Sequence, residues 1–207
     1  MKTRTMAASL CVAAACVCLA LAPQQASAAH TVTWNSGTGQ LAVTMDGVAA
    51  DATIVVVGGA VKVNDGTTDL DPTGGPVAPG AVNSILITGG AIADTINLRN
   101  VTTANGFTTA LNATGGVVVN AGNGGDAILD SEFNDTLNAQ ATNGDNIYYS
   151  SGNDTLNGDG GNDVYYISAV PAGNTVTIIE SAGANDQIRY DAQPAGLTRA
   201  DFTITGS

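Results

Sequence analysis

The chain has 207 residues, 44% of them hydrophobic and only 12% charged, with a formal net charge of −12 and 26 glycines. The hydrophobic content and low charge fraction exclude a disordered polyelectrolyte. The acidic balance argues against a nucleic-acid or anionic-lipid partner and favours cations.

The chain opens with Lys2 and Arg4, continues with an uncharged apolar run over 6–22, and reaches the small-residue triplet Ala26-Ser27-Ala28. This order predicts a Sec-type secretory signal peptide over 1–28, so the protein is expected to be secreted, extracellular or cell-surface associated. Cleavage would remove two of the six basic residues, none of the eighteen acids, and all three cysteines (Cys11, Cys16 and Cys18). The exported chain is then more acidic still and lacks disulfides, so it needs a good core or another staple. No later stretch is long and apolar enough to span a bilayer, and no membrane span is expected after cleavage.

Residues 29–98 read as a β-rich lead-in. Short Val/Ile/Thr runs at 31–34, 40–44, 53–57 and 60–63 are separated by Asn35-Ser36-Gly37, Asp46-Gly47 and Gly58-Gly59, which are turn sequences. The proline-rich stretch 71–80 predicts an exposed loop. Ile85 and Ile87 then precede a six-residue turn and Asp94-Thr95-Ile96-Asn97. Val117 and Val119 precede a similar turn and Asp126, and 99–115 between the two copies predicts a bulging loop.

Over 99–168 a repeat dominates. Asp126, Asp135, Asp145, Asp154 and Asp163 recur at intervals of 9, 10, 9 and 9 residues. Two residues after each comes a large apolar side chain: Ile128, Leu137, Ile147, Leu156 and Tyr165. Asp-Thr-Leu/Ile-Asn occurs at 94–97, 135–138 and 154–157. A nine-residue period suits a short turn followed by a short strand with one inward side chain, not a helix. Residues 169–207 predict a C-terminal β cap.

The units from Ala121 to Tyr166 resemble the RTX, or haemolysin-type, calcium-binding repeat, G-G-x-G-x-D-x-U-x with U large and apolar. The best copies are Gly152-Asn153-Asp154-Thr155-Leu156 and Gly158 with Gly161-Asn162-Asp163-Val164-Tyr165. The aspartate stands in all five units, whereas 130–135 has no glycine. The tail segments Asp186-Gln187-Ile188 and Leu197 to Phe202 resemble the stretch that often follows such repeats. The resemblance implies an all-β, right-handed parallel β-roll, or β-solenoid, in which two units make one coil and Ca2+ sits between successive turns. It implies metal ligation by Asp126, Asp135, Asp145, Asp154 and Asp163, with backbone oxygens near Gly152, Gly158 and Gly161. Turns one coil apart would then share an ion, pairing Asp126 with Asp145, Asp145 with Asp163, and Asp135 with Asp154. The extra residue would bulge between 138 and 144. An N-terminal Sec signal departs from the C-terminal export signal common in that family.

The chemistry has a physical reason. Strands stack about 4.8 Å apart, and carboxylates about 5 Å apart repel by roughly 3 kcal/mol at an effective dielectric of ~20. A hard divalent ion between them reverses that sign, because calcium takes six to eight oxygens from carboxylates and carbonyls. Turn aspartates that only accept bonds from nearby amides would give a metal-free structural or adhesive solenoid instead. A third possibility, a carbohydrate-active β-solenoid with a protein or polysaccharide partner, needs paired acids outside the ladder. The sequence carries no H-E-x-x-H, no G-x-S-x-G and no phosphate loop, so no enzyme activity is expected. Of Tyr148-Tyr149 and Tyr165-Tyr166, one member each is expected to pack inward.

Overall fold

The computed structural model describes residues 30–48, 51–113, 115–141, 143–168 and 170–190. The expected signal peptide over 1–28 and the segment 197–202 lie outside the described residues. Among the described residues the protein is almost wholly β, with three short 3-10 turns as its only helical structure.

Strands form where Val, Ile and Thr alternate with the polar residues that face out, a period of two that suits a half-buried sheet. One mixed sheet runs, in order, β1 (Thr31–Asn35), β2 (Gln40–Thr44), β6 (Ser84–Thr88), β8 (Val117–Asn120), β10 (Asp135–Ala141), β12 (Asp154–Asp159) and β14 (Val176–Glu180). The second runs β15 (Gln187–Tyr190), β13 (Val164–Ile167), β11 (Asn146–Tyr149), β9 (Ala127–Leu129), β7 (Thr95–Asn97), β3 (Asp51–Val57), β4 (Ala60–Asn64) and β5 (Asp69–Leu70). From β6 onward successive strands alternate between the sheets, and every pairing among them is parallel. The antiparallel pairs β1–β2, β3–β4 and β4–β5 all belong to the N-terminal part.

The parallel register stacks like on like. In the first sheet Val43, Ile87, Val119, Leu137, Leu156 and Ile178 form one file. In the second, Ala52, Ile96, Ile128, Ile147, Tyr165 and Ile188 form another. All five apolar residues that follow the repeat aspartates are buried, and they belong to one core cluster with residues of both sheets. Each such side chain contributes roughly 1.5–3 kcal/mol by leaving water.

Two loop expectations are corrected. The stretch 71–80 is not simply exposed: Val77 and Pro79 are buried, Thr73 bridges Thr33, and the Val77 carbonyl accepts from the Val61 amide. The stretch 99–115 does not bulge away either. Its 3-10 turns deliver Val101, Phe107 and Leu111 into the core, because apolar residues there bury more surface than a solvated loop would.

The extra residue of the repeat falls where the spacing places it. Pairing of β10 with β12 shifts between Asn138 and Ala141, and Gln140 has a φ of 64°. A side chain there costs about 1–2 kcal/mol, partly offset because glycine loses about 0.5–1 kcal/mol more conformational entropy on folding. Gln140→Gly is therefore expected to stabilise the fold by about 0.5–1 kcal/mol, read as a raised denaturant midpoint at unchanged slope. A lowered midpoint would mean that the Gln140 side chain matters more than its backbone.

Candidate metal centre

Each repeat aspartate stands at the mouth of a strand, where the turn delivers the chain back into the sheet. A carboxylate there can reach the backbone of the neighbouring turn. It does so in a regular way. The amide of Asp94 donates to Asp126 Oδ1 at 2.8 Å, Asp126 to Asp145 Oδ1 at 2.6 Å, Asp145 to Asp163 Oδ1 at 2.8 Å, and Asp163 to Asp186 Oδ1 at 3.0 Å. At the other edge the Asp135 amide donates to Asp154 Oδ1 at 2.9 Å. The spacing argument thus pairs the right residues, and the first file is longer than five repeat units suggest, since Asp94 and Asp186 extend it at either end.

Apart from the exposed Asp186, these carboxylates are not surface groups. Asp126, Asp145 and Asp163 have no exposed area, and Asp94, Asp135 and Asp154 keep only 2%. Only one oxygen of each is used along the first file. Asp126 Oδ2, Asp145 Oδ2, Asp154 Oδ2 and Asp163 Oδ2 are buried without a hydrogen-bond partner, as is Asp94 Oδ1. A buried acceptor without a donor costs about 1–3 kcal/mol, and more when charged. Burial pushes Asp126 up to about 6 and Asp145 up to about 7, the charge of neighbouring aspartates adding to the effect. Asp94 and Asp163 are raised for the same first reason. Burial also raises the close pair Asp135 and Asp154, and for Asp154 the Asp135 charge adds to it.

Asp135 differs from the rest. Its two oxygens accept from the Ser131 hydroxyl and the Ser131 amide, each at 2.7 Å. Ser131 stands where the repeat pattern has glycine, so its hydroxyl adds a donor beside the turn amide that a glycine would also offer. Asp130 joins this corner: it accepts from the amide and hydroxyl of Ser150 and the amide of Ser151, and Arg99 Nε lies 3.6 Å away. Asp130, Asp135 and Asp154 each offer an oxygen within 4.8 Å of the others'. A second such group is Asp163, Glu180 and Asp186. Glu180 escapes the sequence argument because it ends β14 and is outside the aspartate register.

The glycines hold the turns close. Gly152 has a φ of 99°, and a methyl group on it would collide with the Phe133 carbonyl of the preceding turn and lie 2.6 Å from Asp154 Oδ1. Gly161, at a φ of 121°, lies in the same way against the Asn143 carbonyl. Both conditions call for glycine. Gly158 has no such φ; its α-carbon instead borders oxygens, Asp163 Oδ2 and Glu180 Oε1 among them. His30 Nε2 lies 2.6 Å from the Asp51 carbonyl.

The chain matches no family model, no curated protein and no solved structure. What the centre can hold must therefore come from its own atoms. Its donors are all hard oxygens, with no thiol or imidazole among them, which suits calcium or magnesium rather than zinc or copper. The orphaned second oxygens are the groups a cation would satisfy, so the residues present fit a calcium ion.

The two tyrosine pairs divide as expected. Tyr149 and Tyr165 are buried, with Tyr149 Oη donating to the Gly152 carbonyl. Tyr148 and Tyr166 face outward and stack on each other at 4.5 Å, and Arg189 lies 5.5 Å above the Tyr166 ring. The facing surfaces of both rings are thus already covered. No helix among the described residues is long and apolar enough to cross a membrane.

Proposed function

We propose that this chain is a secreted, non-enzymatic calcium-binding module, a right-handed parallel β-roll of the RTX type whose fold is stabilised by Ca2+ between stacked aspartate turns. One observation carries the reading: a file of buried aspartates, each tied to its neighbour through one oxygen, keeps a second oxygen without a donor. The alternation of parallel strands between two sheets at 18- or 19-residue separations supports the β-roll. Asp126, Asp145 and Asp163 would hold the ion on one edge and Asp135 with Asp154 on the other. Carbonyl oxygens of the turns at Gly152, Gly158 and Gly161 would complete the shell. Bound calcium supplies the positive charge that these buried acids lack. The aspartates bind it, the glycines let the turns approach, and the apolar files keep water out of the interior.

Calorimetric titration with calcium, together with melting curves in chelator and in millimolar calcium, tests the proposal. Calcium is expected to raise the melting temperature. Asp154→Ala and Asp163→Ala are expected to weaken binding by about tenfold or more, since affinity follows ligand charge count. Asp51→Ala, at an exposed residue outside the files, leaves binding unchanged. Superimposable melts with and without calcium would select the metal-free structural or adhesive solenoid.

A further inference from the structure

The turn position just before the Asp file is filled differently along the protein. Asn120, Asn138 and Asn157 pair in register across β8, β10 and β12; the residues that follow them are Ala121, Ala139 and Gly158, with the β10–β12 register shifting just after Asn138. Ala121 and Ala139 are fully buried. At Gly158 the methyl is missing, and its place is surrounded by oxygens: an added Cβ would lie 2.5 Å from Asp163 Oδ2, 2.6 Å from Glu180 Oε1, and against Tyr165 Oη. Glu180 reaches this point from β14, paired beside Asp159. Asp186 contributes from the start of β15, and one oxygen each of Asp163, Glu180 and Asp186 lies within 4.8 Å of the others.

Two features separate this from an ordinary acidic cluster. Asp163 is fully buried, and its Oδ2, which faces the Gly158 gap, has no hydrogen-bond partner. Glu180 Oε2 is likewise buried and without one. Tyr165 Oη donates to Glu180 Oε1 and fixes that carboxylate over the gap. The charged groups acting on Glu180 are all acids, Asp186, Asp163 and Asp159, so no described lysine or arginine balances the cluster.

We propose that Asp163, Glu180 and Asp186 form a separate divalent-cation site, with Tyr165 as the residue that positions Glu180 and Gly158 as the gap that admits the ion. The site takes a hard cation, calcium in an extracellular setting, through three carboxylates. It ties the ends of β14 and β15 to the turn between β12 and β13, so the C-terminal strands dock in response to the metal. It shares Asp163 and Asp186 with the file described above, adds Glu180 from outside it, and needs neither Asp135 nor Asp154.

The test uses the full chain, with calcium and terbium as probes. Terbium emission excited through tyrosine reports a bound ion, its loss in Glu180→Gln assigns that ion to the site beside Tyr165, and calorimetry counts calcium. Glu180→Gln keeps the shape and the acceptor for Tyr165 while removing a charge. It is expected to bind one calcium fewer, or to bind the last one at least about tenfold more weakly, with the circular dichroism spectrum retained. Asp154→Asn is expected to leave that ion in place. In the unaltered protein, calcium slows amide exchange over 176–190. An ion count and affinity both unchanged in Glu180→Gln, or exchange over 176–190 indifferent to calcium, overturns this site alone. A protein that binds no calcium overturns both proposals. Binding that survives Asp154→Asn intact but vanishes in Glu180→Gln leaves this site standing and removes the row.

Discussion

In excess chelator the protein is expected to melt at a higher temperature at pH 5 than at pH 8, and saturating calcium is expected to invert that order. Carboxylates that gain a partner on folding usually lose stability in acid; these do the opposite, because burial without a cation raises them. Asp126 moves from 3.8 to about 6 and Asp145 from 3.8 to about 7. Between roughly pH 4 and pH 7 the folded chain therefore holds more protons than the unfolded chain, and by linkage the unfolding free energy falls as the pH rises. Below that window both states are protonated and above it both are ionised, so the penalty is complete near pH 7 and then constant for these two groups. Taken together the two groups set a penalty on the order of several kcal/mol, at ~1.4 kcal/mol for each tenfold gain in a carboxylate's proton affinity on folding. Calcium needs the ionised form, so its contribution grows over the same interval and reaches about 2.7 kcal/mol for each bound ion at a hundred times the dissociation constant; it is the sum over the ions of the row that reverses the order. Melting at the two pH values with and without calcium decides it. A chelated protein more stable at pH 8, or an order that calcium leaves alone, would refute the account. Salt separates this from the repulsion of exposed acids, which is screened within about 10 Å at 0.1 M ionic strength.

The aspartate register and the inward apolar files were legible in the sequence, because a period of nine fixes both which residues stack and which face they share. The extra residue near Gln140 was legible too, as a gap of ten among gaps of nine. The ends of the file were harder to read. Asp94 and Asp126 are bonded but 32 residues apart, and Asp163 and Asp186 are 23 apart. Insertions of such length erase the period, although Asp94-Thr95-Ile96 and Asp186-Gln187-Ile188 repeat the local pattern. Glu180 could not be found this way, since its role depends on a strand end meeting a gap at Gly158. The stretch 99–115 misled because a broken register looks like a loop. Val101, Phe107 and Leu111 were the signal that it returns to the core.

The nature of the aspartate file is best decided by Asp145→Asn. If these residues served only as acceptors for the next amide, asparagine would do the same work, since its Oδ1 can take the 2.6 Å bond from the Asp126 amide. The variant would then match the parent in every condition. If the file is a row of buried charges awaiting a cation, removing one charge helps the chelated protein and harms the calcium-bound one. In chelator at pH 8, Asp145→Asn is expected to gain about 1–3 kcal/mol, at ~1.4 kcal/mol for each tenfold effect on the carboxyl's proton affinity, because the buried charge that Asp126 and Asp163 oppose is gone. In calcium it is expected to lose most of the stabilisation the ion confers, as one fewer carboxylate lowers affinity. Asp145→Ala provides the control. It removes the same charge but strands the Asp126 amide at a cost of about 1–3 kcal/mol, so in chelator it is expected to melt below Asp145→Asn while both blunt the response to calcium. A loss of stability for asparagine in chelator, or an undiminished calcium response, would leave Asp145 a turn residue and nothing more. The sign of the asparagine effect separates the readings, because hydrogen bonding alone supplies no reason for the apo protein to prefer the neutral side chain.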